Sequence, residues 1–421
     1  MDKLIIEGGK RLKGSVKISG SKNAVLPILA ATLLTDKPCR ISNVPDLKDV
    51  HFMLRLLRIL GVSAEFKRGV VKICAKDIKS HIAPYNLVSK MRASFCLLGP
   101  LLGRIKKAQV SLPGGCIIGV RPVNLHIEGL RRLNVNIEIS AGYVNAQTKS
   151  LRGNSVYLGG EFGSSVLATA NVLMAAVKAK GLTVIESAAC EPEILDLADF
   201  LNSMGAHIHG AGTPTIRIQG VKSLCGVDYK VIPDRVEAGT FMIAALITKG
   251  DIVIEGVNHY HLSALIDKLG KTGSRIKKLD NSLHIAAVNK LKPVNITTLP
   301  YPGFPTDMQA QFMSLLSVVD GVSVVTEKIY PDRFMHIAEL NRMGAHIQKE
   351  GPCAIIEGVK FLTGAPVMAS DLRASAALVL AGLAAKGTTE IFRIYHLDRG
   401  YDRIESKLQK LGACIYRRKV R

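Results

Sequence analysis

The chain has no tryptophan, and its aromatic content is only 5%. Its eight cysteines are scattered and include no CxxC pair. That argues against a zinc site and a disulfide framework, and it fits a reducing compartment. No apolar run approaches the roughly 18 residues of a membrane span. The opening MDKLIIEGGKRLKG mixes acidic and basic residues and lacks an apolar signal core. That argues against secretion, so a cytoplasmic location is expected. Acidic residues are also in deficit: 56 Lys and Arg against 34 Asp and Glu leave a formal charge of +22. Such a charge raises nucleic acid as a partner. The bases are nevertheless dispersed, only short clusters such as RRKVR (417–421) stand out, and no nucleic-acid-binding signature accompanies them. An anionic small-molecule substrate accounts for the charge at least as well.

What is present is a well-folded composition, 48% hydrophobic and 21% charged over 421 residues, which predicts two domains. One phrase recurs six times, as LLRILGVSAEF, GLRRLNVNIEI, FLNSMGAHIHG, LIDKLGKTGSRI, ELNRMGAHIQK and KLQKLGACIYR. It reads as helix, stop, strand, with the left-handed stop at Gly61, Asn134, Gly205, Gly270, Gly344 and Gly412. The spacings are 73, 71, 65, 74 and 68 residues. A second phrase keeps the same period: helices apolar nearly all round, such as SVLATANVLMAAV and RASAALVLAGLAA, each running into a β-branched strand. Helices of that kind are buried. Six units divide into two domains of three. The N-terminal hairpin precedes the first helix and the last unit lacks one, which predicts domains at 21–229 and at 1–20 plus 230–421.

Before each buried helix stands a short polar loop: SGSKNAV, SKMRAS, GGEFGSSV, IPDRVEAG, FPTDMQAQ and ASDLRASA. Helix N-termini attract anions. Lys22, Arg92, Arg235 and Arg373 add cations there, and Glu161, Asp234, Asp307 and Asp371 add carboxylates. A single such loop reads as an ordinary cap. Six equivalent ones predict a shared cleft between the two domains, suited to an anionic ligand. A further stretch, SLPGGCIIGVRPVNLH (111–126), places Cys116 directly after Pro113, Gly114 and Gly115. Those residues break regular structure and let backbone approach a ligand.

The stretches SGSKNA, SLPGGCxIGxRPVxLH, FPTDMQAQF, RFMHxxEL, DLRASAALVLAG and RIYHLDRGYxRIE resemble the UDP-N-acetylglucosamine 1-carboxyvinyltransferase family of enolpyruvyl transferases. The resemblance covers the whole chain. It implies an α/β fold of two inverse α/β domains, each of three βαβαββ-type units with buried helices. It implies transfer of enolpyruvate from phosphoenolpyruvate to the 3-hydroxyl of UDP-N-acetylglucosamine with release of phosphate, the first committed step of peptidoglycan synthesis. By the same resemblance Lys22, Arg121 and Arg399 neutralise phosphoenolpyruvate, and Asn23 bonds the intermediate. Arg92, the run Arg121, Pro122, Val123, Asn124 and Leu125, the loop Glu161, Phe162 and Gly163, and Ile329 hold the UDP-sugar. Asp307 is the general base, with Asp371 and Arg373 beside it. Cys116 is the general acid that protonates the methylene carbon and can also add to phosphoenolpyruvate covalently, and nearby Arg121 favours its thiolate.

No metal or organic cofactor is implied, because fixed cations supply the charge stabilisation. The expected partners are the two small-molecule substrates, with no membrane, no specific nucleic acid and a monomeric chain. Two other readings stand beside this one: a transferase of the same fold acting on another alcohol such as shikimate 3-phosphate, and a non-catalytic nucleic-acid binder. Two departures from the family pattern bear on the uridine diphosphate contacts. Glu161 opens a loop where a serine is usual, and Asn124 replaces a common aspartate. His126 and His396 are expected to orient loops rather than to react.

Overall fold

The structure, a computed structural model, describes residues 2–112, 123–288 and 290–419. It divides into two compact units, one of residues 20–112 and 123–232, the other of 2–19 and 233–419. Each unit holds three four-stranded sheets among the described residues, all built to one plan. A short edge strand runs parallel to a central strand. In five sheets the central strand pairs antiparallel with one arm of a hairpin; in the sixth it pairs with the N-terminal strand, which pairs in turn with the last strand described. In the first unit Ile82–Ala83 lies parallel to Lys107–Ser111, which pairs with Tyr143–Gln147 and so with Asn136–Ser140. In the second unit Ile296–Thr297, Val322–Thr326, Cys353–Glu357 and His346–Glu350 repeat the arrangement. Strand Asp2–Glu7 pairs antiparallel with both Thr388–Phe392 and Cys414–Lys419. Lys13–Lys17 lies parallel to Asp251–Glu255 in a different sheet, so the stretch read as an N-terminal hairpin is two strands that do not pair with each other: each completes a sheet of its own.

The strands form because their sequences alternate. In Thr215–Gln219 (TIRIQ), Ile216 and Ile218 are buried while Thr215, Arg217 and Gln219 face water. The helices under the sheets do not alternate. In Arg235–Ile247 every residue from 236 to 247 is buried, and in Leu372–Ala384 every residue from 373 to 383. Lys22–Ala31, Leu98–Ile105, Val166–Ala176 and Gln309–Leu316 complete the set of six, three to a unit. Burying each Leu or Ile in them stabilises the fold by roughly 1.5–3 kcal/mol. Their small residues let backbones close up. A Cβ on Gly99 would sit 2.2 Å from the Asn171 carbonyl oxygen on the neighbouring helix Val166–Ala176, so no larger residue fits.

Two further details differ from the sequence expectation. Left-handed stops occur at Gly61, Asn134, Gly205, Gly344 and Gly412, but the fourth repeat stops at Gly273, not Gly270. Helix Ser263–Lys271 runs through Gly270, and Thr272 caps it. A second glycine three residues on meets the same steric condition, and the extra turn keeps Lys268 and Lys271 near the negative helix end. Two of the six polar loops also lead first into 3-10 turns, Arg92–Leu97 and Thr306–Met308, before their α-helices. At the first of these, Pro100 falls in the opening turn of Leu98–Ile105, the place where a missing N–H is tolerated.

Candidate active site

Cys116, Arg121 and Pro122 lie outside the described residues; the other predicted site residues fall into two groups, one in each unit.

In the first unit Lys22 opens helix Lys22–Ala31, which Ser21 caps by accepting from the Ala24 N–H. Pro27, inside that helix, has no N–H to offer the Asn23 carbonyl, so Asn23 lies outside the regular ladder. The Lys22 ammonium stands 2.9 Å from Asp49 Oδ2, and the Asp49 side chain is buried. Arg92 opens its 3-10 turn close enough to act electrostatically on Cys96 and His126. Val123 is the N-cap of Asn124–Arg132, which places Asn124 and Leu125 in the first turn. Leu125 packs on Gly160, where a Cβ would meet Leu125 Cδ1 at 3.1 Å. Gly160 belongs to a small hairpin, Gly159–Gly160 with Gly163–Ser164. Glu161 and Phe162 form its exposed tip, and Gly163 takes φ +93°. The first unit thus gathers Asn124, Leu125 and the Glu161 loop on one side.

His126 anchors this group from beneath. Its Nδ1 accepts from Asn171 Nδ2 at 2.9 Å, and the same amide also donates to the Phe95 carbonyl at 2.9 Å. Burial, reinforced by the Arg92 charge, pushes the imidazole down to about 3. It is neutral at any physiological pH and holds three elements together. Burial likewise pushes the Cys96 thiol up to about 12, which makes it an inert filler.

In the second unit Asp307 lies in the turn before helix Gln309–Leu316. Its Oδ1 meets Arg333 Nη1 at 2.9 Å and its Oδ2 meets Arg373 Nη2 at 2.8 Å. Burial alone would raise this carboxyl. The Arg373 and Arg333 guanidiniums override it and hold Asp307 well below the usual carboxylate range. What keeps Asp307 ionised is therefore the pair of arginines, and its side chain caps no helix end. The arginines expose only 4% and 6% of their side chains, whereas Asp307 exposes 29%. Arg373 Nη1 also reaches the Tyr401 hydroxyl at 3.4 Å, and Thr240 Oγ1 and Gln311 Nε2 meet the same hydroxyl at 2.8 and 3.3 Å.

Asp371 is the N-cap of Leu372–Ala384. Its Oδ1 accepts from the N–H groups of Arg373 and Ala374 at 2.9 and 3.1 Å, and Ser370 Oγ donates to its Oδ2. Arg399 ends the 3-10 turn Ile394–Arg399, two residues before Tyr401. Ile329 is half-buried, and its N–H donates to Glu327 Oε1 at 2.8 Å. Arg333, Glu327 and Tyr401 were not assigned from sequence. Arg333 and Tyr401 sit inside motifs read for other residues, RFMHxxEL and RGYxRIE. Glu327, in VVTEKIY, has the appearance of a solvent-facing strand end. Among the described residues no group of three His, Cys, Asp or Glu side chains could hold a metal ion. No helix there is long and apolar enough to cross a membrane.

The sequence pattern of the family described as EPSP synthase (3-phosphoshikimate 1-carboxyvinyltransferase) matches residues 6–408. The UDP-N-acetylglucosamine 1-carboxyvinyltransferase 2 of Carboxydothermus hydrogenoformans is 55% identical over 419 residues, 99% of either chain. The UDP-N-acetylglucosamine 1-carboxyvinyltransferase of Myxococcus xanthus is 50% identical over 423 residues and 100% of both chains. Among solved structures, the enolpyruvyl transferase NikO from Streptomyces tendae superposes with a TM-score of 0.90 at 26% identity, covering 100% of this chain and 99% of its own. An EPSP synthase of Acinetobacter baumannii, at 20% identity and a TM-score of 0.78 over 99% of this chain and 100% of its own, shares the fold. With identities of this size over nearly the full length, the chain belongs to the EPSP synthase (3-phosphoshikimate 1-carboxyvinyltransferase) family, and within it to the UDP-N-acetylglucosamine 1-carboxyvinyltransferases.

Proposed function

We propose that this chain transfers the enolpyruvyl group of phosphoenolpyruvate to the 3-hydroxyl of UDP-N-acetylglucosamine, releasing phosphate, in the first committed step of peptidoglycan synthesis. The observation that carries the reading is its half-or-better identity, end to end, to transferases of that name. The reaction is cytoplasmic and the partners are the two small molecules. In the first step a proton moves from Cys116 to the methylene carbon of phosphoenolpyruvate while the sugar 3-oxygen bonds to the neighbouring carbon and gives its proton to Asp307. The tetrahedral adduct then loses phosphate from that carbon, which carries off the proton taken up by Asp307, while a proton of the new methyl group returns to the Cys116 thiolate and the double bond re-forms. Lys22, Arg121 and Arg399 balance the phosphate and carboxylate charges, since charge-assisted bonds are the strong ones. Asn23 bonds the intermediate. Arg92, the run from Arg121 to Leu125, the Glu161–Gly163 loop and Ile329 receive the UDP-sugar.

The ion pairs of Asp307 bear on its role. A carboxylate held by two guanidiniums is a weak base, because base catalysis is most effective with a pKa near the working pH. The anionic substrate competes for the same guanidiniums, and drawing Arg373 toward it leaves Asp307 with one partner and a higher proton affinity. Phosphate release with two acceptors tests the function. Release with UDP-N-acetylglucosamine and none with shikimate 3-phosphate is expected, and the reverse would sink the reading.

A further inference from the structure

Behind the arginine pair lies a carboxylate that the reaction above leaves unused. Glu327 is fully buried, yet it accepts four hydrogen bonds. Its Oε1 takes the Thr298 hydroxyl at 2.6 Å and the N–H groups of Ile329 and Tyr330 at 2.8 and 3.0 Å. Its Oε2 takes the Thr306 hydroxyl at 2.9 Å. A buried carboxylate is costly unless such partners satisfy it, and here donors from three separate segments do so.

Thr306 connects this cluster to the site. Its single hydroxyl proton goes to Glu327, which turns an oxygen lone pair toward Arg333, and Arg333 Nη1 donates to it at 2.9 Å. The same Nη1 meets Asp307 Oδ1 at 2.9 Å. Gln309 Nε2 steadies the Arg333 backbone by donating to its carbonyl at 3.2 Å. The charged groups around Arg333 are Asp307, Asp371, Arg373 and Glu327. The hydroxyl thus fixes which way the guanidinium points, and the guanidinium fixes Asp307. On its other oxygen Glu327 closes the turn that carries Ile329.

We infer that Glu327 and Thr306 are positioning residues, a relay that aims Arg333 at Asp307 and, through the Ile329–Tyr330 turn, sets the UDP-sugar contact by the same carboxylate. This deepens the proposed function and rests on it for the meaning of Asp307 and Ile329. The fixed rotamers follow from the hydrogen bonds and do not depend on that reading. Supporting groups of this kind matter because misplacing a reacting group by about 1 Å can cost about 10²-fold in rate.

The test compares Thr306→Val, Thr306→Ser and Glu327→Gln. Thr306→Val removes the hydroxyl at constant shape, so turnover should fall about tenfold or more with the KM for UDP-N-acetylglucosamine unchanged. The acid limb of its pH–rate profile should move to higher pH, because Asp307 is held less tightly. Thr306→Ser keeps the hydroxyl and should restore both. Glu327→Gln should lower turnover and raise the sugar KM together, because it disturbs both oxygens. A general loss of stability would move none of these selectively. Titration of 13C-labelled Asp307 by NMR gives a readout that needs no turnover: the Thr306→Val carboxyl should titrate higher than wild type, and Thr306→Ser should match wild type. If Thr306→Val and Thr306→Ser behave alike in both measurements, the relay is wrong. If wild type is inactive with UDP-N-acetylglucosamine while the NMR shift appears, the proposed function fails and the relay stands.

Discussion

Replacing Asp307 by Asn separates two things this carboxylate does. The amide keeps the size of the side chain, and its oxygen can still accept from one guanidinium. Its NH2 then faces the other, where two donors meet. Arg333 and Arg373 expose only 6% and 4% of their side chains, so water replaces little of the lost charge. Removing one member of a buried pair costs about 3–5 kcal/mol. The bond kept by the amide oxygen and the 29% exposure of Asp307 reduce the expectation to about 1–3 kcal/mol. Turnover should fall by about 10² or more, the scale of a lost general base, while the KM for UDP-N-acetylglucosamine changes little. Phosphate release at saturating substrates gives the rate, and urea unfolding followed by circular dichroism gives the stability. The pH dependence has a definite sign. A carboxyl held below its ordinary value stabilises the fold above about pH 4 and loses that contribution as pH falls through its folded value, so the variant should show less acid sensitivity there. Near-normal turnover in Asp307→Asn would remove Asp307 as the base. An unchanged unfolding midpoint would mean that the arginines do not depend on it.

The buried histidines predict a second pH effect. Burial pushes His126 down to about 3 and His336 down to about 4, the latter against the opposing charge of Asp371. A histidine depressed in the fold supports stability above its ordinary 6.5 and loses that support as pH falls toward the folded value. For His126 the loss is roughly 3–5 kcal/mol when complete. Urea midpoints measured from pH 7 to pH 4 should fall steeply in wild type and less in His126→Gln; parallel curves would refute the assignment. Asp196 carries the opposite sign, because burial pushes it up to about 6 although Tyr229 donates to it at 2.6 Å. A raised carboxyl favours the fold at low pH and loses that benefit as pH rises through about 6. Asp196→Asn should therefore stabilise the protein at pH 8 by about 1–3 kcal/mol, and a loss of stability there would contradict the argument.

The fold was legible because it repeats. Each buried helix announces itself by apolar residues on every side, as in Leu372–Ala384, and each amphipathic helix by the glycine or asparagine that stops it. Both signals are local, and six copies average out the noise of any one. Where a local signal had two solutions, sequence chose wrongly. Gly270 and Gly273 both allow a left-handed stop, and the energy that selects the second comes from a longer helix that the pattern did not distinguish. Asp2–Glu7 pairs with strands near residues 390 and 417 while Lys13–Lys17 joins a different sheet, and nothing local in the stretch 2–17 distinguishes that arrangement from the hairpin its pattern suggests.

The candidate site was legible to a different depth. Grouping the polar loops put Asp307 and Arg373 in one class, and the structure has them in contact at 2.8 Å. Arg333 and Glu327 escaped because neither stands in such a loop. Their meaning arises only when the segments around 298, 306, 327 and 333 meet, and each is ordinary alone. A buried glutamate looks in sequence like the exposed end of a strand, since only its neighbours reveal that four donors converge on it. Repetition and motif therefore identify groups that stand where substrate arrives. They pass over groups whose work is to hold other groups still, because that work is written in hydrogen-bond directions and leaves no pattern in residue type. In this chain the Thr306 hydroxyl is the clearest case: it has one proton to give, and the carboxylate that takes it decides where Arg333 points.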